Sequence, residues 1–331
     1  MNILVNQRKG FVDHPAVAGV IERLHRLGDV RLTAHNTADE IRPDLAWADA
    51  VILWSWPVLT DELLDAAPRL RYAGHIDIGQ QGARIALRRG LPVSVSRHGF
   101  SPAVAELALG LILSLLRRIS DYHQPMRLGT ETWVRAFPAD LNPLERELTG
   151  SHVGLVGFGR VGRRLAELLR PFQTTLRVHD PFVADDLLAA HGAARAELAE
   201  MLRASDVVVI CAASNPGTRR LLGRDEIALL KPNAVLVNVA RAALVDTEAL
   251  VERLRRGDLF AALDVFDREP LAHDSVLRTL PNAYLTPHRA GGIIASVVRI
   301  LEYLVDDLEA VLAGRERQHP LTEAMLPGLD G

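Results

Sequence analysis

At 331 residues the chain is longer than one core comfortably supports, so two domains are expected. Its 48% hydrophobic and 24% charged content is that of an ordinary globular protein, and a formal charge of -3 offers no footprint for a polyanion, which excludes a nucleic-acid partner. Cys211 is the single cysteine, ruling out an internal disulfide and a cysteine-rich metal cage.

Met1 to Arg8 lacks the apolar core and cleavage pattern of a signal peptide, and no uncharged run reaches membrane-spanning length, so a reducing, cytoplasmic setting is expected. Short β-branched runs then alternate with helical ones, the pattern of an α/β protein with mainly parallel sheets. Asn2 to Val5, Val30 to Thr33, Ala50 to Trp54, Arg71 to Ile76 and Pro92 to Val95 read as strands of a first unit. His14 to Leu27 carries Val17, Val20, Ile21 and Leu24 at helical spacing before Gly28 stops it. Ser101 is a candidate N-cap for a long helix whose run from Val104 to Leu116 is apolar on nearly all sides. Such a helix is expected to be buried all round, as a connector between domains or subunits. Thr130 to Glu147 reads as a long loop or short helices over the cleft. A second unit follows, with strands expected at Val153 to Val156, Thr175 to His179, Val207 to Ile210, Ala234 to Val237, Phe260 to Leu263 and Tyr284 to Thr286. The last helix, Ile293 to Leu312, is long enough to return to the first unit. The expected domains are therefore 1–100 with 290–331, and 101–289; both are doubly wound parallel-sheet units.

Within the second unit, Gly157-Phe158-Gly159-Arg160-Val161-Gly162 sits between a strand and a helix expected over Val161 to Leu169, with Asp180 ending the next strand. This is a dinucleotide-binding fingerprint. Gly157 makes the tight turn, Gly159 lets backbone N–H groups approach a pyrophosphate, and Gly162 lets helix and sheet pack closely, with the helix N-terminus favouring anions. An aspartate at position 180 accepts hydrogen bonds from ribose hydroxyls and repels a 2′-phosphate, favouring NAD over NADP; Asp180 before Pro181 also fits a turn initiator. Three later polar residues, Arg241, Glu269 and His288, each fall just beyond a strand-like run, where ligands of such sheets bind. A guanidinium clamps a planar carboxylate, an imidazole carries a proton, and a carboxylate on that imidazole favours its protonated form. Reduction of a 2-oxo acid needs those parts and a hydride donor, the proton transfer being worth roughly 10²- to 10⁴-fold. Taken singly, Arg241 also reads as a surface arginine, Glu269-Pro270 as a solvated turn and His288 as one of 12 histidines. No histidine and acid spacing resembles a metal site, so none is expected.

Over most of its length the chain resembles the NAD-dependent D-2-hydroxyacid dehydrogenases, a family that includes 3-phosphoglycerate dehydrogenases and glyoxylate or hydroxypyruvate reductases. The resemblance lies in Ala48-Asp49-Ala50, Leu63 to Pro68, Val104-Ala105-Glu106, Leu148-Thr149-Gly150, the glycine motif, Asn238 to Arg241, Asp264 to Pro270 and Leu285 to His288. It implies that Arg241 binds the substrate carboxylate, His288 exchanges the proton and Glu269 orients the ring and raises its pKa. It also implies NAD contacts from Gly157 to Gly162, Asp180, Pro181, Cys211, Ala212, Thr218, Val239, Ala240, Arg241, Asp264, His288 and Gly291, with Asp264 near the nicotinamide carboxamide. Substrate contacts are implied at Ile76 and Asp77, and a homodimer through the cofactor domain.

The chain departs from the family where substrate is chosen. Asp77 stands where a glycine is usual, with His75, Arg97 and His98 as cations that could answer it. Ala242 replaces the glycine usual after the arginine, and Arg289 stands beside His288 where an apolar residue is common. Arg289 there would lower the histidine's pKa, or bind a second acidic group if it faces the cleft. Trp54, Trp56 and Trp133 read either as the wall of a pocket larger than glyoxylate needs or as core residues. Two other functions fit part of the pattern: an NAD-sensing interaction protein, and a phosphite dehydrogenase; a formate dehydrogenase would resemble the chain better with glutamine at 269.

Overall fold

Runs that are apolar without interruption become strands covered on both faces, as parallel sheets require. In the computed structural model, which describes residues 1–8, 10–54, 56–76 and 81–329, they divide between two compact units. One unit comprises Met1–Phe100 with Gly292–Gly331, the other Ser101–Gly291.

The first unit holds β1 (Asn2–Asn6), β2 (Asp29–Thr33), β3 (Ala50–Leu53), β4 (Tyr72–His75) and β5 (Val93–Val95), all parallel in the order β2-β1-β3-β4-β5. Val20, Ile21 and Leu24 of the helix Ala18–Leu27 are buried against one face together with Ile300, Leu301, Leu304, Val305 and Leu308 of the helix Ile294–Leu312. Buried Asp307 accepts from the Ser94 hydroxyl at 2.6 Å and from the N–H groups of Gln318 and His319. The segment after the helix is thereby tied to the edge of β5, where Val95 donates to His319 and Leu321 to Val93. Trp54 lies just beyond β3 and packs edge-on against Phe11 and Phe100, at 5.4 and 6.5 Å between ring centroids. It is partly buried and packs against the core of this unit.

The second unit holds β6 (His152–Val156), β7 (Thr175–His179), β8 (Ala193–Arg195), β9 (Val207–Ile210), β10 (Ala234–Asn238), β11 (Leu259–Leu263) and β12 (Ala283–Leu285). All seven are parallel, in the order β12-β11-β10-β9-β6-β7-β8. Alternate residues serve opposite faces: Val207 and Val209 join one core, Val208 and Ile210 the other. The edge strand β8 went unread because Ala193-Ala194-Arg195 carries no apolar run.

Ser101 is not an N-cap; it continues a helical turn that begins at Arg97–Phe100. The helix Ser101–Leu116 buries Ala105, Ala108, Ile112 and Leu115 in the second unit's core and, in the single chain, leaves Glu106 and Gly110 exposed. A further helix, Ile119–Leu128, was not expected from the sequence and buries no residue. Thr130 to Glu147 forms neither helix nor strand.

Candidate active site

In the second sheet, β6 lies between β9 and β7, so successive connections leave it in opposite directions and open a crevice at the strands' carboxyl ends. The glycine turn stands there. Gly157 has φ of 91°, and a Cβ on it would lie 2.6 Å from the Ala212 backbone beyond β9. Gly162 packs so close that its Cβ would sit 2.7 Å from the Gly157 carbonyl oxygen, whereas a Cβ on Gly159 would meet nothing within 4 Å. The helix begins at Arg160, one residue earlier than the spacing implied, with Gly159 as N-cap and no side chain capping its first turn. Tight contacts behind and open space in front, with uncapped N–H groups, fit a bound pyrophosphate.

Around that cradle the expected cofactor residues are largely committed to the protein itself. Asp180 accepts from the Phe158 N–H at 2.7 Å and from the Phe182 N–H at 3.0 Å, so it initiates a turn as well as facing the glycine loop. Arg195 braces this turn by donating to the carbonyls of Asp180 and Val183, a contact no sequence signal marks. Pro181 lies within the turn. Thr218 donates its hydroxyl to Ala213 and accepts from the Asn215 N–H, closing the loop after β9. Burial pushes the thiol of Cys211 up to about 12. Val239 is buried, and Ala240 donates its N–H to Asn238. The Asn238 amide also donates to the Arg241 carbonyl, so one buried side chain shapes the turn that presents the arginine.

Arg241, Glu269 and His288 follow β10, β11 and β12, three neighbours in one sheet, and this adjacency brings them together. Nδ1 of His288 lies 2.6 Å from Oε2 of Glu269, whose Oε1 accepts the Phe266 N–H at 3.0 Å. Burial pushes the Glu269 carboxyl up, but the bond to His288, the Phe266 N–H and the charges of His288 and Arg241 outweigh it and hold the group below the usual carboxylate range. The pair stays open to solvent, with 46% of the His288 side chain and 36% of that of Glu269 exposed. Arg241 is exposed and donates to the Ala240 carbonyl at 2.7 Å.

His288 adopts φ of 51°, a left-handed backbone costly for a residue with a Cβ. Asp264, fully buried one residue past β11, holds it there. Its carboxylate accepts from the Thr286 hydroxyl at 2.5 Å, the Arg289 N–H at 2.9 Å and the Ala290 N–H at 2.8 Å, bracketing His288 on both sides. This clamp was missed by sequence reasoning, which read Asp264 toward the cofactor; Gly291 is the last residue of the second unit.

In the first unit, Ile76 is buried in the core and gives its N–H to Leu53. Asp77 lies outside the described residues.

Residues 109–290 match the family described as D-isomer specific 2-hydroxyacid dehydrogenase, NAD binding domain. The chain is 28% identical over 323 residues to D-3-phosphoglycerate dehydrogenase of Methanocaldococcus jannaschii, covering 96% of this chain but only 60% of that longer protein. It is 34% identical over 313 residues to (S)-sulfolactate dehydrogenase of Chromohalobacter salexigens, covering 92% of this chain and 97% of that one. The crystal structure of a phosphoglycerate oxidoreductase from Rhizobium etli superposes with a TM-score of 0.81 at 26% identity, over 97% of this chain and 98% of that one. Given the matched segment and the 34% identical relative, the chain belongs to the D-isomer specific 2-hydroxyacid dehydrogenase family, and its second unit is that family's NAD-binding domain.

Proposed function

We propose that the chain reduces a 2-oxo acid to the D-2-hydroxy acid, or runs the reverse oxidation, with NAD(H). The observation that carries this reading is the 2.6 Å His288–Glu269 pair, with Arg241 beside it, at the carboxyl edge of the NAD-binding sheet. When bound, the nicotinamide supplies or accepts the hydride. Arg241 anchors the substrate carboxylate with its planar fork and polarises the carbonyl. With Nδ1 held by Glu269, Nε2 of His288 is the ring atom that passes a proton to the carbonyl oxygen or takes it back. Glu269 keeps the ring oriented, and Asp264 keeps the loop beneath it in its left-handed shape.

Gly157, Phe158, Gly159, Arg160, Val161 and Gly162 would cradle the pyrophosphate, a role supported by the open face of Gly159. Asp180 would take the adenosine ribose hydroxyls and disfavour a 2′-phosphate, which makes NAD the expected form over NADP. We also assign the chain a homodimeric state, supported by an apolar stripe with no cover within its own unit: Ile119, Tyr122, Met126, Trp133, Val134 and Phe137 are all exposed.

The test is NADH oxidation with a panel of 2-oxo acids, comparing wild type with His288→Ala. Turnover that falls by about 10²- to 10⁴-fold in the variant is expected. A wild type inert on every acid, or a variant equally fast, would refute the reading.

A further inference from the structure

We infer that the substrate carries a second anionic group beyond its 2-oxo acid end, and that Arg289 selects for it. This deepens the dehydrogenase reading above and rests on it. Arg289 follows His288 directly, and consecutive Cα atoms lie only about 3.8 Å apart. Its position is fixed, because its own N–H and that of Ala290 are both bound by the buried carboxylate of Asp264. A long cationic side chain therefore grows from a fixed base at the residue that follows the proton-transferring one.

Its head group has no evident structural task. Arg289 is exposed, and among the described residues no carboxylate or carbonyl receives its guanidinium. Arg164, Arg177 and Arg224 of the same unit pair with Glu167, Glu200 and Glu252, so what sets Arg289 apart is its place directly after His288. The carboxylates closest in the loop cannot answer it at no cost. Asp264 is committed to three donors, and Glu269 to His288 and Phe266. With Arg241 assigned to the first carboxylate, the second guanidinium leaves the site richer in positive charge than a monoanionic acid needs. Its planar fork suits a distal carboxylate, sulfonate or phosphate, each able to accept two parallel hydrogen bonds.

The experiment uses the full chain with NADH and three matched pairs of acids: oxaloacetate against pyruvate, sulfopyruvate against pyruvate, and phosphohydroxypyruvate against hydroxypyruvate. Wild type is expected to favour at least one dianion over its monoanionic partner in kcat/KM, the three arms showing which second group is meant. Arg289→Ala is expected to erase about tenfold or more of that preference, chiefly through KM, with Arg289→Lys recovering part of it. Added salt should slow the preferred dianion more than its partner. Because the guanidinium holds nothing in the fold, the alanine variant should melt with wild type. A wild type that prefers the monoanion in every pair, or an alanine variant that slows both members equally, overturns this inference alone. A wild type inert on all of these acids overturns the dehydrogenase reading and the inference with it.

Discussion

His288 stands on a backbone that few side chains adopt, and the residues around it explain how the strain is held. A left-handed residue of this kind costs about 1–3 kcal/mol and persists where neighbours over-determine it. The three bonds into buried Asp264 do so here, while Glu269 fixes the ring from outside. The carboxyl of Glu269 lies below its ordinary 4.5 in the folded protein, so its stabilising effect is complete above 4.5 and is lost as pH falls through the lower folded value. Glu269→Gln should therefore be less stable than wild type at neutral pH, and the gap should close as pH drops below 4.5. With 36% of the side chain exposed, the gap is expected to stay under about 1 kcal/mol. Denaturant melts of both proteins across pH 3 to 7, roughly the range over which carboxylates titrate, would check this; a gap that widens toward acid would contradict it.

At the scale of elements, the turn between β6 and its helix separates folding from binding. Gly157 needs its missing Cβ twice over, for a φ of 91° and for the Ala212 backbone behind it. Gly159, by contrast, faces open space. Gly157→Ala should lose about 1–3 kcal/mol of stability, a fall of several degrees in Tm. Gly159→Ala should melt close to wild type yet bind NADH more weakly, because its new methyl would occupy the room left for the pyrophosphate. Calorimetric melts alongside NADH titrations distinguish the two, and equal loss of stability in both variants would break the distinction. The same logic applies after β10, where Asn238 bonds both Ala240 and Arg241 and so fixes where the guanidinium emerges.

For the molecule as a whole, the exposed apolar residues between Ile119 and Phe137 support the proposed homodimer. The helix Ile119–Leu128 buries no residue, and Phe137 is 78% exposed. Clustered exposed apolar side chains often mark an interface, and a second copy of this chain is the cover proposed for them. Light scattering on the eluting protein should return twice the chain mass, and Met126→Glu with Phe137→Glu should shift it to the monomer. A wild type that runs as a monomer at micromolar concentration would count against this assignment.

The strands other than β8, and the glycine turn, were legible in the sequence because their signals are local. Val207 to Ile210 reads as a covered strand from composition alone, and Arg241, Glu269 and His288 each stand at the end of such a run. What lay beyond reach depended on which strands are neighbours. The bonds from Asp264 to Thr286, Arg289 and Ala290 exist because β11 and β12 are adjacent, and adjacency leaves no trace in either segment. The left-handed shape of His288, the Arg195 brace on Asp180 and the edge strand β8 belong to the same class, settled by hydrogen bonds between residues far apart in the chain. Periodicity determined the elements; only tertiary structure decided which polar groups meet, since pairing a buried polar group depends on whatever the fold brings beside it.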